Sequence, residues 1–248
     1  MQIYLTVTPQ EYREAAGPGR SFAHEAYRIG EDSSLLRQQL LVQTQGGLLT
    51  IRDQNAPPVQ DAAALTAAVL RECSRRQYAG VLLDFEAPFR EDLAAFARQL
   101  SETCRTLYVP ASYAQAVPRA VVLVCTAISG GAFAPYLREQ FQTYHGQIAL
   151  DLQRLQMDFP LPAKSGSGTP LSPSAFQERM QQEAPSVFFS PELCARYFTY
   201  VQDGQAHFVL FDDADTLRRK LRLGASMGVS AAFLMWPEVQ DLPGELFR

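Results

Sequence analysis

The sequence lacks the paired cysteine and histidine motifs of metal sites. Its cysteines are Cys73, Cys104, Cys125 and Cys194. None of them forms a CxxC pair, and the histidines, His24, His145 and His207, are widely scattered. Because metal-ligand spacing is missing, we expect no metal site. Buried free thiols in a reducing compartment are the interpretation that fits the cysteines.

Glycine-rich phosphate loops are missing as well. Neither GxGxxG nor a Walker-type loop occurs in the sequence, so no nucleotide cofactor is indicated and we expect no cofactor. The formal net charge is -4. Non-specific binding to nucleic acid needs a basic face, so this charge argues against a nucleic-acid partner.

Long hydrophobic runs are also absent. The longest, AVVLVC (120–125) and SAAFLMW (230–236), are too short to cross a bilayer, so we expect no membrane partner. The start, MQIYLTVT, lacks the basic residues and the cleavage site of a signal peptide. We therefore expect a cytoplasmic protein. The sequence gives no indication of its oligomeric state.

The sequence does contain an alternation of helix-like and strand-like segments from Asp61 onward. DAAALTAAVLRECSRR (61–76) has an apolar face at helical spacing, and GVLLDF (80–85) follows as a strand. Such alternation favours a parallel sheet with covering helices. The length of 248 residues suits a (β/α)8 barrel, so we predict an α/β fold with a single barrel domain over residues 1–248. A doubly wound sheet is the alternative, but its glycine-rich first turn is not seen.

Two parts of the predicted barrel are irregular. The first 60 residues contain only one helical candidate, EDSSLLRQQ (31–39), so the N-terminal part should be reduced. ARYFTYVQDGQAHFVLF (195–211) predicts a β-hairpin that turns at Asp203-Gly204. We predict this hairpin as an insertion before the last helix.

The segment YAGVLLDFEAPF (78–89) contains two carboxylates at the end of an apolar strand. Because side chains alternate along a strand, Leu82, Asp84 and Glu86 should share one face. The opposite face should carry Val81, Leu83 and Phe85. Helices should cover the apolar face, which leaves the acids on the inner face at the carboxyl end of the strand. Barrel enzymes have their active sites at this end. The alternative is an ordinary strand end with solvated acids.

GVLLDFE (80–86) resembles the DxxDxDxE signature of glycoside hydrolase family 18, the chitinase-like barrels. The segment 207–239, with its Asp-Asp turn, basic helix and final tryptophan, is similar to the closing segment of that family. The resemblance implies a glycosidase that acts on glycans containing N-acetylglucosamine, by a mechanism in which the substrate assists. It implies that Glu86 is the acid, that Asp84 orients the acetamido group, and that Trp236 forms the floor of the sugar site. The partner would be an amino-sugar glycan.

The sequence departs from the family pattern at four positions. Ala79 and Leu82 stand where the signature has its first two aspartates, and Ala127 and Ile128 stand where a tyrosine-aspartate pair would bind the sugar. A lone acid without a group that positions the acetamide should lose much of its rate.

Other residues could take part in substrate binding. Tyr108 and Tyr113, near the end of the preceding strand, could replace the missing pair, with barrel packing as the alternative. Asp151, at the end of its strand, could point into the same cleft. For Trp236 a core position is the alternative to a sugar platform.

Three interpretations of the function stay open. The first is a family-18-like hydrolase. The second is a carbohydrate-binding or scaffolding barrel that has lost turnover. The third is a barrel hydrolase of changed substrate. For Asp212 and Asp213 a helix cap is the preferred interpretation.

Overall fold

The structure is a computed structural model that describes residues 1–38, 42–163 and 168–246. The strands are β1 (Gln2–Val7), β2 (Ser21–Ile29), β3 (Leu35–Arg37), β4 (Leu48–Arg52), β5 (Gly80–Asp84), β6 (Leu107–Pro110), β7 (Val121–Cys125), β8 (Ile148–Asp151), β9 (Gln156–Pro160), β10 (Thr169–Pro170), β11 (Phe188–Ser190), β12 (Ala195–Gln202), β13 (Gln205–Phe211) and β14 (Ala231–Met235). The helices are α1 (Tyr12–Ala15), α2 (Ala62–Arg76), α3 (Glu91–Thr103), α4 (Phe133–Thr143), α5 (Pro173–Glu183), α6 (Ala214–Ser226), α7 (Trp236–Val239) and α8 (Pro243–Leu246). Among the described residues, no helix has the length and apolar character needed to span a membrane.

Eight parallel strands close into a barrel. Around the ring their order is β1, β2, β4, β5, β6, β7, β8 and β14. The ring closes because β1 pairs in parallel with both β2 and β14. The predicted (β/α)8 barrel is therefore confirmed.

The N-terminal part of the barrel is irregular, as predicted, but its details differ. Between β1 and β2 lies only the four-residue helix α1. The helix predicted over 31–39 is wrong, because Leu35–Arg37 forms β3, which pairs antiparallel with the end of β2. Tertiary pairing here overrides a weak helical preference. Residue 39 lies outside the described residues.

The barrel strands divide their side chains between two apolar clusters. The interior cluster contains Leu82 of β5, Tyr108 of β6 and Phe233 of β14. The outer cluster contains Val81 and Leu83 of β5, with buried residues of α2 and α3. This alternation is the two-residue period of a strand, and it fixes which residues at the strand ends belong to the inner face.

Residue contacts divide the chain into two compact units, where the sequence predicted a single domain. The first unit, which contains the barrel, consists of Met1–Val124, Gln140–Asp151 and Gly228–Trp236. The second unit consists of Cys125–Glu139, Leu152–Met227 and Pro237–Arg248.

The second unit contains a five-stranded antiparallel sheet in the order β10, β9, β13, β12, β11. The predicted hairpin is present as β12 and β13, and both turn residues, Asp203 and Gly204, have positive φ. The hairpin is thus the centre of a larger sheet rather than an isolated insertion. Strands β10 and β11 have only two and three residues, and runs so short show no readable alternation.

Candidate active site

Asp84 and Glu86 lie at and just beyond the carboxyl end of β5. Leu82 belongs to the interior cluster, and the alternation along β5 puts Asp84 on the same inner face. The Asp84 side chain is 27% exposed and that of Glu86 is 65% exposed. Asp84 is therefore the deeper carboxylate, and Glu86 is the one that solvent reaches freely. Neighbouring Val81, Leu83 and Phe85 pack in the outer cluster, as the sequence predicted.

Arg52, the last residue of β4, joins three carboxylates. Its Nη1 lies 3.1 Å from Oε2 of Glu25, its Nε 3.4 Å from Oδ2 of Asp84, and its Nη2 3.4 Å from Oε1 of Glu86. The register of the barrel explains the position, since Arg52 is the direct partner of Asp84 between β4 and β5. One guanidinium therefore partly neutralises three acids at this end of the barrel.

Glu25 is the most buried of these carboxylates. Its side chain is 4% exposed, and its Oε1 has no hydrogen-bond partner within the described part of the chain. It lies in β2, where the register against β4 shifts between Glu25 and Tyr27. Such a bulge bends the strand and re-aims side chains, and bulges are common beside functional sites.

Burial changes the protonation of two of the three acids. It raises the pKa of Glu25 to about 7, an effect that Arg52 opposes and that the charge of Asp84 adds to. Burial also raises the pKa of Asp84 to about 6, again opposed by Arg52 and reinforced by Glu86 and Asp53. A carboxyl group that titrates near neutrality is suited to proton transfer or to hydrogen-bond donation.

Asp53 fixes the backbone on which Glu86 stands. Its Oδ1 accepts a hydrogen bond from the Glu86 amide (3.0 Å), and its Oδ2 accepts one from the Ala87 amide (3.1 Å). Asp53 is itself buried, with 4% of its surface exposed. The acid therefore starts from a fixed main-chain position, although its side chain is exposed.

Arg90 and Asp92 tie the segment after β4 to the start of α3. The Arg90 guanidinium donates to the carbonyl oxygens of Ala56 (2.8 Å) and Pro57 (3.0 Å) and forms an ion pair with Asp92. Asp92 in turn accepts a hydrogen bond from the Val59 amide at 2.7 Å. These contacts hold the segments that follow β4 and β5 together.

Tyr113, predicted as a substrate-binding residue, lies fully buried in the outer cluster. Its hydroxyl accepts a hydrogen bond from the Arg90 amide at 3.1 Å, and its ring packs edge-on against Phe85. Tyr113 therefore helps to hold the segment that follows Glu86 and does not join the cluster around Arg52.

Tyr108, the other predicted substitute, lies inside the barrel. It is 6% exposed and packs against the rings of Tyr4 and Phe233 in the interior cluster, with ring centroids 6.4 and 4.9 Å away. Burial raises its pKa to about 12. It shares this cluster with Leu82, which precedes Asp84 by two residues in β5 and lies on the same face of the strand.

Asp151 and Trp236 were also predicted to bind substrate. Asp151 ends β8, two residues after Ala149 of the interior cluster, so it belongs to the inner face at the carboxyl end. Trp236 is 5% exposed, and the Arg20 guanidinium lies 5.9 Å from its ring centre. Its Nε1 is buried and has no hydrogen-bond partner among the described residues. The ring is thus buried rather than open as a platform.

Ala127 and Ile128, at the place of the tyrosine-aspartate pair, belong to the second unit. Ala127 packs against the apolar cluster of Leu155, Phe159, Ala195 and Leu210. The preceding carbonyl, that of Thr126, accepts a hydrogen bond from Nζ of Lys220 at 3.1 Å. This segment is therefore occupied by apolar packing, without the polar groups of the family pattern.

The two aspartates before α6 have different roles. Asp213 is the N-cap of α6 and forms a capping box with Thr216, as predicted. The cap interpretation is wrong for Asp212, which is fully buried and forms an ion pair with Lys220 at 2.7 Å. Asp212 also accepts hydrogen bonds from the Leu155 amide and the Thr216 hydroxyl.

Sequence reasoning missed Arg52, Glu25 and Asp53. A signal for Arg52 was present, since LLTIR ends in a charged residue just as GVLLD does. In a closed parallel barrel the carboxyl ends of neighbouring strands meet at one end, so charges that end two strands should be expected to pair. Glu25 gave no such signal, because it lies within β2 and not at the end of the strand.

No protein-family model matches the sequence, and no curated protein sequence matches it either. Solved structures do share its fold. The spore cortex-lytic enzyme SleL from Bacillus cereus is 17% identical, with a TM-score of 0.68 over 100% of this chain and 74% of that chain. A glycoside hydrolase family 18 N-acetylglucosaminidase from Paenibacillus barengoltzii is 15% identical, with a TM-score of 0.71 over 99% of this chain and 97% of that chain.

A third similar structure is the family 18 chitinase from Cycas revoluta in complex with allosamidin. It is 13% identical, with a TM-score of 0.69 over 99% of this chain and 97% of that chain. The chain therefore has the chitinase-like barrel fold of glycoside hydrolase family 18. The resemblance stated from the sequence is confirmed at the level of the fold.

Proposed function

We propose that the chain is a glycosidase that acts on glycans containing N-acetylglucosamine. The observation that supports this most is the pair Asp84 and Glu86 at the carboxyl end of β5, with Arg52 between them. The fold adds support, because similar structures are described as chitinases and as an N-acetylglucosaminidase.

Glu86 is the acid in this proposal. Its side chain is open to solvent, so a sugar can reach it, and Asp53 holds its main chain in place. A proton passes from the Glu86 carboxyl group to the glycosidic oxygen as the bond from that oxygen to the anomeric carbon breaks. The fixed main-chain position of Glu86 contributes to catalysis, because correct orientation of the acid accounts for a large part of the reduction in the activation barrier.

Asp84 orients the acetamido group, the role implied by the family resemblance. The acetamido carbonyl oxygen attacks the anomeric carbon, and water later releases the sugar with Glu86 as base. In this chain the polar neighbour of Asp84 is the cation Arg52, since Leu82 replaces the aspartate of the family signature. The interplay of burial and this cation keeps the pKa of Asp84 at about 6.

A binding protein without turnover is the second candidate. Two observations favour it: Arg52 engages both Asp84 and Glu86, and Ala127 packs in an apolar cluster where the family has a sugar-binding pair. In that case Arg52 and the carboxylates would bind sugar hydroxyl groups, and no bond would break.

Hydrolysis of an aryl N-acetylglucosaminide and of chito-oligosaccharides distinguishes the two candidates. We expect release of the chromophore by the unchanged protein and a loss of about 100-fold or more in Glu86→Gln. Glu91→Gln is a matched control, since Glu91 is an exposed glutamate that pairs with Arg98 at the start of α3. No release above background, together with saturable binding of the oligosaccharide by calorimetry, would overturn hydrolysis and leave the binding candidate.

A further inference from the structure

A cavity of about 340 Å³ lies beside the carboxylates in the first unit. It is lined mainly by residues of β2, β3 and the segment after β4. Its charged lining residues are Glu25, Arg28, Glu31 and Arg52. Two of these, Glu25 and Arg52, belong to the cluster that includes Asp84 and Glu86. The cavity therefore adjoins the candidate active site, since Glu25 and Arg52 belong to both.

Glu25 is a buried acceptor without a complete set of donors. One of its oxygens accepts a hydrogen bond from Arg52 at 3.1 Å. The other, Oε1, has no partner among the described residues, and the side chain is 96% buried because only 4% of it is exposed. A buried carboxylate oxygen without a donor is unfavourable, and such groups call for an explanation such as an unfilled binding site.

The charges of the cluster around Arg52 are unbalanced. The cavity lining itself has two acids, Glu25 and Glu31, and two cations, Arg28 and Arg52. The excess of acid comes from Asp84 and Glu86, which pair with Arg52 beside the cavity. Arg52 is shared among three of the acids. A ligand that brings both a hydrogen-bond donor and a positive charge would correct both deficits, whereas a neutral hydroxyl or acetamido group would supply only the donor.

We propose that this cavity is a subsite for a sugar unit with a free, protonated amino group, whose ammonium binds to Glu25. The proposal rests on the proposed function, since it names the glycan that the same site prefers. The preferred substrate is then a partly de-N-acetylated glycan, in which a glucosamine unit occupies the cavity and an N-acetylglucosamine unit lies at Asp84 and Glu86.

Calorimetric binding of two short oligosaccharides tests the subsite. One is fully N-acetylated chitotetraose, and the other is a tetrasaccharide with a glucosamine unit at its non-reducing or reducing end. We expect Glu25→Gln to bind the glucosamine-containing ligand about 30-fold more weakly, because the buried charge pair is lost. Its binding of the fully acetylated ligand should be unchanged within about threefold.

Glu14→Gln is the matched control. Glu14 is an exposed glutamate outside the cavity lining, so its loss should change the affinity for either ligand by less than about threefold. Equal losses in both variants would overturn the proposal, because the effect would then be one of general charge and not of Glu25.

A measurement on the unchanged protein covers the case in which Glu25→Gln does not fold. The pKa of Glu25 is about 7, so at pH 6 most of the folded protein carries a proton there. An ammonium ligand should displace that proton, and the heat of binding should then depend on the protonation enthalpy of the buffer. Proton exchange at Asp84, whose pKa is about 6, is common to both ligands, so the fully acetylated ligand should show the smaller dependence. Identical buffer dependence for both ligands would overturn the subsite.

Failure of the subsite differs from failure of the proposed function. If the acetylated ligand binds or is hydrolysed but the amine gives no advantage, the subsite is wrong and the proposed function stands. If neither ligand binds, both proposals are overturned together.

Discussion

Two groups of paired charge in this molecule are built in different ways. In the first unit, the single guanidinium of Arg52 is shared by Glu25, Asp84 and Glu86, at distances of 3.1 to 3.4 Å. In the second unit, Lys220 faces Asp212 alone at 2.7 Å, and both side chains are almost completely buried. The first group has too many acids for its cation, and the second is balanced.

Each charged atom of the balanced pair has a hydrogen-bond partner, unlike those of the Arg52 group. Lys220 donates to the Thr126 carbonyl, and Asp212 accepts from Leu155 and Thr216. Glu25, in contrast, keeps an oxygen without a partner. A buried ion pair is tolerable when its hydrogen bonds are complete. An incomplete one is unfavourable for the fold, and perturbed carboxylates of this kind cluster at functional sites. The difference therefore separates a structural pair from a group suited to a ligand.

Lys220→Met breaks the balanced pair and should have the largest effect on stability. It leaves the buried Asp212 carboxylate without its cation, which should lower the free energy of unfolding by about 3–5 kcal/mol. Urea unfolding followed by circular dichroism measures the loss. A partial recovery in Lys220→Met combined with Asp212→Leu would show that the uncompensated charge is the cause.

Arg219→Met is the matched control for Lys220→Met. Arg219 immediately precedes Lys220 in α6, but it forms an exposed ion pair with Asp215 at 2.8 Å. Exposed pairs contribute about 0–1 kcal/mol. A loss in Arg219→Met as large as that in Lys220→Met would contradict the distinction between the two positions.

At Glu25 it is the ionised form of the carboxyl group that destabilises the folded protein. Its pKa is raised from the usual 4.5 to about 7, so between these values the folded protein holds a proton that the unfolded chain has lost. The stability that this proton contributes is complete below the lower value and falls as the pH rises to about 7. Between pH 5 and pH 8 the unchanged protein should lose on the order of 2 kcal/mol more than Glu25→Gln.

Urea unfolding at several pH values checks this difference between the two proteins. Comparing the proteins removes the contribution of other titrating groups, including Asp84, whose raised pKa has the same sign. Parallel stability curves for the two proteins would mean that Glu25 is not a buried acid of unusual pKa, and the Arg52 group would then resemble the balanced pair.

Asp53→Asn tests the support beneath Glu86. An asparagine retains one acceptor, so one of the two amides, of Glu86 or Ala87, loses its partner. We expect a loss of about 1–2 kcal/mol in stability and a loss of activity at constant pH, since the acid is displaced. Asp32→Asn is the control, because Asp32 is exposed and its carboxylate accepts a local hydrogen bond from the Ser34 amide. Activity that survives in Asp53→Asn would show that Glu86 needs no fixed main chain.

Much of the first unit could be predicted because the information is local. The alternation in GVLLDFE placed Leu82 and Asp84 on the inner face and Val81 on the outer face, as the two clusters confirm. Neighbours from other strands were not predictable in this way. Arg52 meets Asp84 only through the register between β4 and β5, and it meets Glu25 of β2 only in the folded barrel.

In the second unit, too, the sequence predicted local structure but not the contacts between distant elements. Its central hairpin was predicted from one strong turn at Asp203-Gly204, whereas the outer strands β10 and β11 were too short to show a period. Asp212 and Asp213 are adjacent and identical in type, and only the fold distinguishes the buried partner of Lys220 from the helix cap. Sequence patterns assign a residue to an element, but they do not identify its distant partners.

Asp213→Ala makes that last distinction measurable and should have the smallest effect. It removes the cap of α6, in which the Asp213 carboxylate accepts the Thr216 amide at 2.9 Å, and it removes an ion pair with Arg196. Loss of an N-cap lowers stability by about 1 kcal/mol. Asp212→Ala, one residue earlier, leaves Lys220 buried and unpaired and should lower stability by about 3 kcal/mol or more, in the same urea unfolding measurement. Equal losses in the two alanine variants would mean that the buried pair is no more important than an exposed cap, and the contrast between balanced and unbalanced charge would lose its basis.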